Sequence, residues 1–176
     1  MPTSAIPLRT VLFVTVVYAL VLLYLLWWTT YVGIRTEERF VQQPAGAAGE
    51  VSGTSIRLLS LRQSTLLADQ RYGGAPQQAS SGATWVVAEL EAVRRPDARE
   101  FYCTLELVGP DGRRWDKQSN ITRTLPWCDS KEIVPGRTVR FETIFLVPER
   151  FADQLVGVAV LNPATPDRVP VITPPA

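Results

Sequence analysis

The stretch from Thr10 to Ile34 contains no charged side chain and is almost entirely apolar. Roughly 20 apolar residues, rising about 1.5 Å each, span a hydrocarbon core about 30 Å thick. The segment is therefore long enough to cross a bilayer as one helix. Burial inside a soluble protein is a weak alternative, because such a helix needs a large protein around it and only about 140 residues follow.

An uncleaved anchor fits this segment better than a secretory signal does. A signal has a shorter apolar region, about 7–15 residues, followed by small residues at the cleavage site. Here the apolar run ends in Trp27, Trp28 and Tyr31, with no such small-residue pattern. Tryptophan and tyrosine favour the membrane–water interface because their rings are amphipathic. We predict a permanent transmembrane helix over residues 10–34, with a cleaved signal as the alternative.

The charges that flank the segment leave its orientation nearly balanced. Arg9 precedes it, and Arg35 and Arg39 follow it. Two other features favour a cytoplasmic N-terminus, namely the short preceding tail (residues 1–9) and a later cysteine pair suited to an oxidising compartment. We therefore predict a single-pass protein of the cell membrane whose domain is extracytoplasmic.

Composition excludes several functional classes for the remainder of the chain. All 17 acidic residues and every basic residue except Arg9 follow the apolar segment, so this part carries no net charge. A neutral domain argues against nucleic-acid binding, which needs a basic face. The chain has no histidine, which removes the imidazole bases and metal ligands, and two cysteines alone cannot form a tetrahedral zinc site. We predict no catalytic residues, metal or cofactor.

The sequence divides further into a linker, a domain and a tail. We predict a juxtamembrane segment and linker over residues 35–52, because it contains Pro44 and several Gly and Ala residues. A β-domain follows over residues 53–163, and a proline-rich tail with an edge strand near Arg168 to Ile172 completes the chain. The stretch from Asp69 to Ala83 is predicted to be a long polar loop.

Strand patterns dominate residues 53–163. From Thr84 to Val93, one set of alternating side chains is apolar: Val86, Ala88, Leu90 and Ala92. In the earlier run Ile56 to Arg62, the alternation slips at Leu58 and Leu59, as at a β-bulge. Several such strands, separated by turn signals, predict an all-β sandwich.

The order of these patterns resembles a known family. The matching segments are Trp85 to Leu90, Leu105 to Trp115, Val134 to Val139 and Phe145 to Pro148. They resemble the immunoglobulin-like domains of unknown function in membrane- and lipid-anchored envelope proteins of Gram-positive bacteria and actinobacteria. The resemblance implies an immunoglobulin-like β-sandwich and no enzymatic activity. The lipobox cysteine of the lipid-anchored members is absent here, so the helix would be the anchor.

Five residues are candidate site residues. Cys103 and Cys128 are predicted to form a disulfide if the domain is exported, the alternative being two unrelated thiols. Trp85, Trp115 and Trp127 are predicted to contact a partner at the rim of the sandwich, together with the polar loop from Asp69 to Ala83. The alternative for Trp115 and Trp127 is that they cap the core.

Two charged groups have an ordinary structural interpretation. Glu89 and Glu91 share a strand face and resemble a catalytic carboxylate pair, but alternation alone explains them as a solvated face. Six basic residues could form one cluster at an end of the sandwich, and a scattered solvated rim is the alternative: Arg94, Arg95, Arg99, Arg113, Arg114 and Lys117.

The predicted function is that of a non-enzymatic, membrane-anchored protein whose domain binds an envelope protein or helps an envelope complex assemble. An alternative is an accessory subunit of a membrane enzyme or transporter, which contacts it through the transmembrane helix. A third is an envelope hydrolase that uses carboxylates.

Overall fold

The computed structural model describes residues 8–37, 40–69, 73–98, 102–119, 121, 128–129, 133–162 and 168–175. The chain divides into two compact units, Met1–Arg39 and Phe40–Ala176. The described part of the first unit is a helix. The described part of the second consists of strands, turns and one short helix.

Helix α1 extends from Leu8 to Glu37, slightly beyond the predicted 10–34. Its window Arg9–Thr30 is long and apolar enough to span a membrane, and none of this window is buried within the protein. The hydroxyl of Thr15 donates to the carbonyl of Val11 at 2.9 Å, so this polar group is satisfied within the helix itself. Apolar side chains therefore cover the outside of α1.

The second unit has twelve strands in its described residues, named here in chain order. They are β1 Phe40–Gln42, β2 Gly49–Val51, β3 Thr54–Ser64, β4 Leu66–Asp69, β5 Ala75–Gln78, β6 Ala83–Arg94, β7 Tyr102–Val108, β8 Arg114–Asp116, β9 Cys128–Asp129, β10 Thr138–Pro148, β11 Gly157–Leu161 and β12 Val169–Ile172. The short helix α2, Glu149–Ala152, follows β10.

These strands form two large sheets and one hairpin. Sheet 1 has the order β1-β12-β11-β7-β8, with β9 also paired to β7. Sheet 2 has the order β10-β6-β3-β2, and β4 pairs with β5. Among the described strands β1 and β12 pair in parallel, whereas the other pairs are antiparallel.

One hydrophobic core lies between the two sheets. Its buried members come from both of them: Val51, Ile56, Leu58, Val86, Ala88, Leu90, Ala92, Cys103, Leu105, Leu107, Ile133, Phe141, Phe145, Val147, Val158, Val160 and Ile172. Two sheets packed over a common core make a β-sandwich. The predicted all-β sandwich is therefore confirmed.

The central strand β6 follows the predicted alternation. Val86, Ala88, Leu90 and Ala92 are fully buried and face the opposite sheet. The predicted bulge in β3 is also confirmed, because the pairing of β3 with β6 shifts register between Leu58 and Ser60. The extra residue lets the apolar positions of β3 on both sides of the bulge reach the core.

Three segments differ from the sequence-based boundaries. The predicted linker 35–52 contains β1 and β2, because their backbones complete ladders that β12 and β3 leave open. The tail strand, β12, is internal rather than at an edge, since β1 pairs on its other side. The predicted polar loop from Asp69 to Ala83 contains β5, which pairs with β4.

Two turns of the described domain contain a glycine at a left-handed backbone angle. Residues Pro110–Gly112 make a single 3-10 turn between β7 and β8, with Asp111 and Gly112 at φ of 57° and 69°. Gly136, at φ of 74°, precedes β10. Glycine adopts these left-handed angles without steric cost, which explains the Pro-Asp-Gly and Pro-Gly patterns.

Truncation of the central strand tests the shared core. We expect Leu90→Ala to lower the free energy of unfolding by about 2–5 kcal/mol, because Leu90 is fully buried between the sheets. Leu66→Ala makes the same change at a side chain that is 55% exposed, and should cost less than about 0.5 kcal/mol. Urea unfolding of the full chain in detergent, followed by near-UV circular dichroism, measures both. Equal effects would contradict this assignment of the core.

Candidate functional site

The sandwich has two ends, which are defined by the strand directions. The domain unit starts at Phe40, which pairs with Val169. We call this the near end, and it also holds the β2–β3 turn, where Asn162 Nδ2 donates to Ser52 Oγ at 2.6 Å. The far end holds the β7–β8 turn, helix α2 and the β4–β5 hairpin.

The hairpin of β4 and β5 covers part of the outer face of sheet 2. Under it lies a second buried cluster, formed by Leu67, Trp85, Val87, Ile121 and Ile144. The indole Nε1 of Trp85 donates to the backbone carbonyl of Gln77 in β5 at 3.2 Å. The hairpin is therefore held down by apolar burial and by a hydrogen bond.

Trp85 is not at a contact surface, contrary to the sequence-based expectation. The residue does lie on the face opposite the main core, but only 5% of it is exposed. The polar segment expected to be a free loop pairs as a hairpin and folds back over this face. Alternation places a side chain on one face of a strand, but it does not show which segment covers that face.

Trp115 lies in β8 at the far end and is half-buried against the main core. Its ring packs directly on the backbone of Gly109, where an added Cβ would come within 2.5 Å of the ring. The ring of Phe151 in α2 is tilted against it, with the centroids 5.9 Å apart. This position matches the alternative interpretation, a cap on the core. Trp127 lies outside the described residues.

Two arginines converge on Phe151 at the same end. The guanidinium carbon of Arg113 lies 4.4 Å from the ring centroid, and that of Arg150 lies 4.8 Å from it. The sequence analysis assigned no role to Arg150 or Phe151. The sequence feature that could have indicated them is the tripeptide Glu149-Arg150-Phe151, which puts a basic and an aromatic side chain next to each other directly after a strand-ending proline.

The basic residues considered as one cluster lie at different ends. Arg94, at the near end, is buried and donates to the carbonyl of Ala98 at 3.0 Å. Arg95 pairs there with Glu50 at 3.4 Å. Arg113 lies at the far end, and Arg99 lies outside the described residues. The interpretation of these residues as a single basic patch is therefore wrong, because the length of β6 separates its members.

Lys117 lies between the two sheets, where the chain leaves sheet 1 and pairs with sheet 2. It follows β8 of sheet 1 and forms an isolated bridge with Phe145 of β10 in sheet 2. Partial burial at this position lowers the pKa of its ammonium group, since desolvation disfavours the charged form.

Glu89 and Glu91 lie on the exposed part of the outer face of sheet 2. Glu91 pairs with Arg140 at 3.4 Å, and Glu89 accepts a hydrogen bond from Ser60 at 3.3 Å. In the row that contains Glu89, Glu142 of β10 pairs with Arg62 at 2.7 Å. The two carboxylates are thus parts of a charge-paired strand face, as the alternation indicates.

The two cysteines lie opposite one another in the backbone register. Cys103 of β7 is the Cα partner of Cys128 of β9. Directly opposed residues of antiparallel strands have Cα atoms about 4.5–5.5 Å apart, which is within the range of a disulfide. In the described residues no cysteine is free, and no group of three or more acidic or cysteine side chains is arranged to hold a metal.

Comparison of the sequence with protein-family models and with curated proteins finds no match. Among solved structures, the chain is similar to a conserved hypothetical protein from Bacillus anthracis, with a TM-score of 0.49, 10% identity, and coverage of 67% of this chain and 87% of that one. It is also similar to an uncharacterized beta-sandwich protein from Clostridium difficile, with a TM-score of 0.47, 15% identity, and coverage of 77% and 96%.

The position of Trp85 can be tested by a conservative substitution. We expect Trp85→Phe to lower the free energy of unfolding by about 1–3 kcal/mol, because the partly buried carbonyl of Gln77 loses its donor and a smaller ring fills a buried site. Trp28→Phe, the same change in helix α1, should leave unfolding of the domain unchanged. Near-UV circular dichroism in urea measures both. A Trp85→Phe protein of full stability with weakened partner binding would instead support the contact role predicted from sequence.

Proposed function

We propose that this chain is a non-enzymatic, single-pass membrane protein of the cell envelope whose immunoglobulin-like domain binds a protein partner outside the cytoplasm. The observation that carries the proposal is the apolar, unburied window Arg9–Thr30 of α1 on a chain whose other unit has its own closed core. The apolar surface of such a helix is stable in lipid, because the backbone N–H and C=O groups are hydrogen-bonded within the helix.

Aromatic residues near the end of this window support membrane insertion. The ring of Tyr24 lies 6.2 Å from that of Trp27 and 6.4 Å from that of Trp28, measured between centroids. Such a group suits the level of the lipid headgroups, where an aromatic ring contacts both acyl chains and water. It would hold the helix at a defined depth.

The strand order supports the immunoglobulin-like assignment. Strands β3-β6-β10 of sheet 2 and β12-β11-β7-β8 of sheet 1 correspond to the A-B-E and G-F-C-C′ orders of that fold when taken in chain order. The cysteines depart from the usual pattern of this fold, because Cys103 lies on the strand that corresponds to C rather than B or F. This fold hosts many functions, so binding is argued from the surface and not from the topology.

Membrane topology is tested by fractionation. We expect the protein to remain in the membrane after a carbonate wash, because an apolar helix in lipid is not extracted by high pH. Protease added to intact spheroplasts should cut after about Thr36, with a cytoplasmic protein that stays uncut as the control. Recovery of a soluble protein that begins near Ile34 would show that the helix is a cleaved signal.

A disulfide between Cys103 and Cys128 is part of the same proposal, since it requires an oxidising compartment. Support comes from the opposed register of the two residues and from the absence of a free thiol at Cys103. The bond would close a loop of about 25 residues and tie β9 to the centre of sheet 1, which in the chain-entropy model stabilises the fold by roughly 3–4 kcal/mol.

Thiol titration tests this bond. We expect no free thiol in the native protein under non-reducing conditions, and we expect Cys103→Ser to lower the free energy of unfolding by about 3–4 kcal/mol. Dithiothreitol should reduce the stability of the unmodified protein to a similar degree, while the Cys103→Ser protein should not respond. Two titrating thiols in the native protein would remove this support for an extracytoplasmic domain.

One observation favours the second candidate function, an accessory subunit that contacts a membrane enzyme or transporter through α1. A shallow apolar groove runs along the helix and is lined by Phe13, Val14, Val17, Tyr18 and Val21. A neighbouring transmembrane helix would pack against such a face through van der Waals contact.

Cross-linking in native membranes separates the two candidates. A photoreactive side chain at the exposed Glu149 reports contacts of the far end, and one at Val17 reports contacts of the helix. The matched control replaces the span Thr10–Ile34 with an unrelated single-pass span. We expect the domain adduct to persist after this replacement. Loss of every adduct after replacement would favour the accessory-subunit function, and no domain adduct at all would contradict the proposal.

A further inference from the structure

Arg113, Phe151 and Arg150 together form what we call the far-end corner. The two arginines come from different elements, Arg113 from the end of the β7–β8 turn and Arg150 from α2. Both guanidinium groups lie within cation–π distance of one ring, at 4.4 and 4.8 Å from its centroid. The ring is itself held by Trp115, which packs on Gly109.

The charges of this corner are not neutralised by the protein. Four other described arginines of the domain have carboxylate partners within 4 Å, for example Arg62 with Glu142 and Arg114 with Glu106. Within the described ranges, neither Arg113 nor Arg150 has an ion pair or a side-chain hydrogen bond, although Asp111 and Glu149 are close to them in sequence. Their N–H donors therefore face solvent.

Stacking on an aromatic ring orients an arginine for binding. The planar guanidinium presents its donors as a fork that matches a carboxylate, and a stacked side chain loses less entropy when it binds. Two positive charges that converge on one ring repel each other unless an anion lies near both. Arginine is also enriched among residues that dominate the binding energy of protein interfaces.

We infer that the far-end corner is where an acidic segment of the partner protein docks, with carboxylates that pair with Arg113 and Arg150. This inference rests on the proposed function and gives its partner a chemistry. The fork of each guanidinium matches a carboxylate, and arginine and aromatic side chains are enriched at protein interfaces. On that ground we assign the corner to a protein partner rather than to lipid headgroups.

Direct binding tests the chemistry. The probe is a fluorescent peptide of ten glutamates with blocked ends, and its anisotropy is measured with the full chain in phosphatidylcholine nanodiscs. We expect the wild type to bind this peptide but not the corresponding lysine peptide. R113Q/R150Q should bind about three- to tenfold more weakly, because two exposed charge pairs are lost. No binding by the wild type would overturn the inference.

Two further variants separate the corner from general charge. R57Q/R168Q removes the same charge from exposed sites away from the far end, and should change the affinity less than twofold. Phe151→Leu keeps both charges but removes the stacking ring, and should weaken binding about twofold or more. If R57Q/R168Q lost as much affinity for the peptide as R113Q/R150Q, the inference would be overturned. Displacement of the peptide by glycerol phosphate, but not by sodium chloride, at equal ionic strength would also overturn it, because the site would then recognise phosphate headgroups.

The cross-linking experiment distinguishes failure of the inference from failure of the proposed function. If wild type forms a domain adduct through a photoreactive side chain at Glu149, and R113Q/R150Q loses it while R57Q/R168Q does not, the corner is the docking site. If all three form it equally, the inference fails and the proposed function stands. If wild type forms no domain adduct, both fail.

Discussion

Burial of the inner face of β6 is the interaction on which the rest of the domain depends. Val86, Ala88, Leu90 and Ala92 are fully buried between β3 and β10 of their own sheet and against the facing sheet. Each larger side chain contributes about 1.5–3 kcal/mol by leaving water, and the two alanines leave room for large residues such as Phe141 and Phe145. A slip of one residue would expose this whole set, so the register of both neighbouring strands is strongly specified.

The outer face of the same strand explains how the far end is built. Trp85 and Val87 at its start need a cover, and the β4–β5 hairpin supplies it. Glu89 and Glu91 further along need none, because arginine and serine side chains satisfy them in solvent. The hairpin therefore lies over the far half of the face, at the end that also carries α2 and the β7–β8 turn. Helix α2 and the β7–β8 turn flank the ring of Trp115 and place Arg113 and Arg150 on Phe151.

The two units of the chain satisfy the hydrophobic effect in different ways. The domain removes its apolar side chains from water by packing one sheet on another, and part of its outer surface carries ion pairs. Helix α1 keeps its apolar side chains on the outside, while its backbone and the hydroxyls of Thr15, Thr29 and Thr30 are satisfied internally. Such a helix is stable where the surroundings are apolar. The proposed membrane anchor and the proposed binding domain are thus stabilised in different ways, and the chain between Glu37 and Phe40 joins them.

The sequence by itself determined the features that depend on local pattern. Helix α1, the inner face of β6, the bulge near Leu58 and the turn at Pro110–Gly112 all follow from periodicity, side-chain size or allowed backbone angles over a few neighbouring residues. The segments that tertiary structure decided lack such a pattern. Residues 40–42 became a strand because β12 leaves a ladder open beside them, and Trp85 is buried because a distant hairpin folds over it. The approach of Arg113 to Phe151 likewise joins residues far apart in the chain, and only the packing of two sheets brings them together.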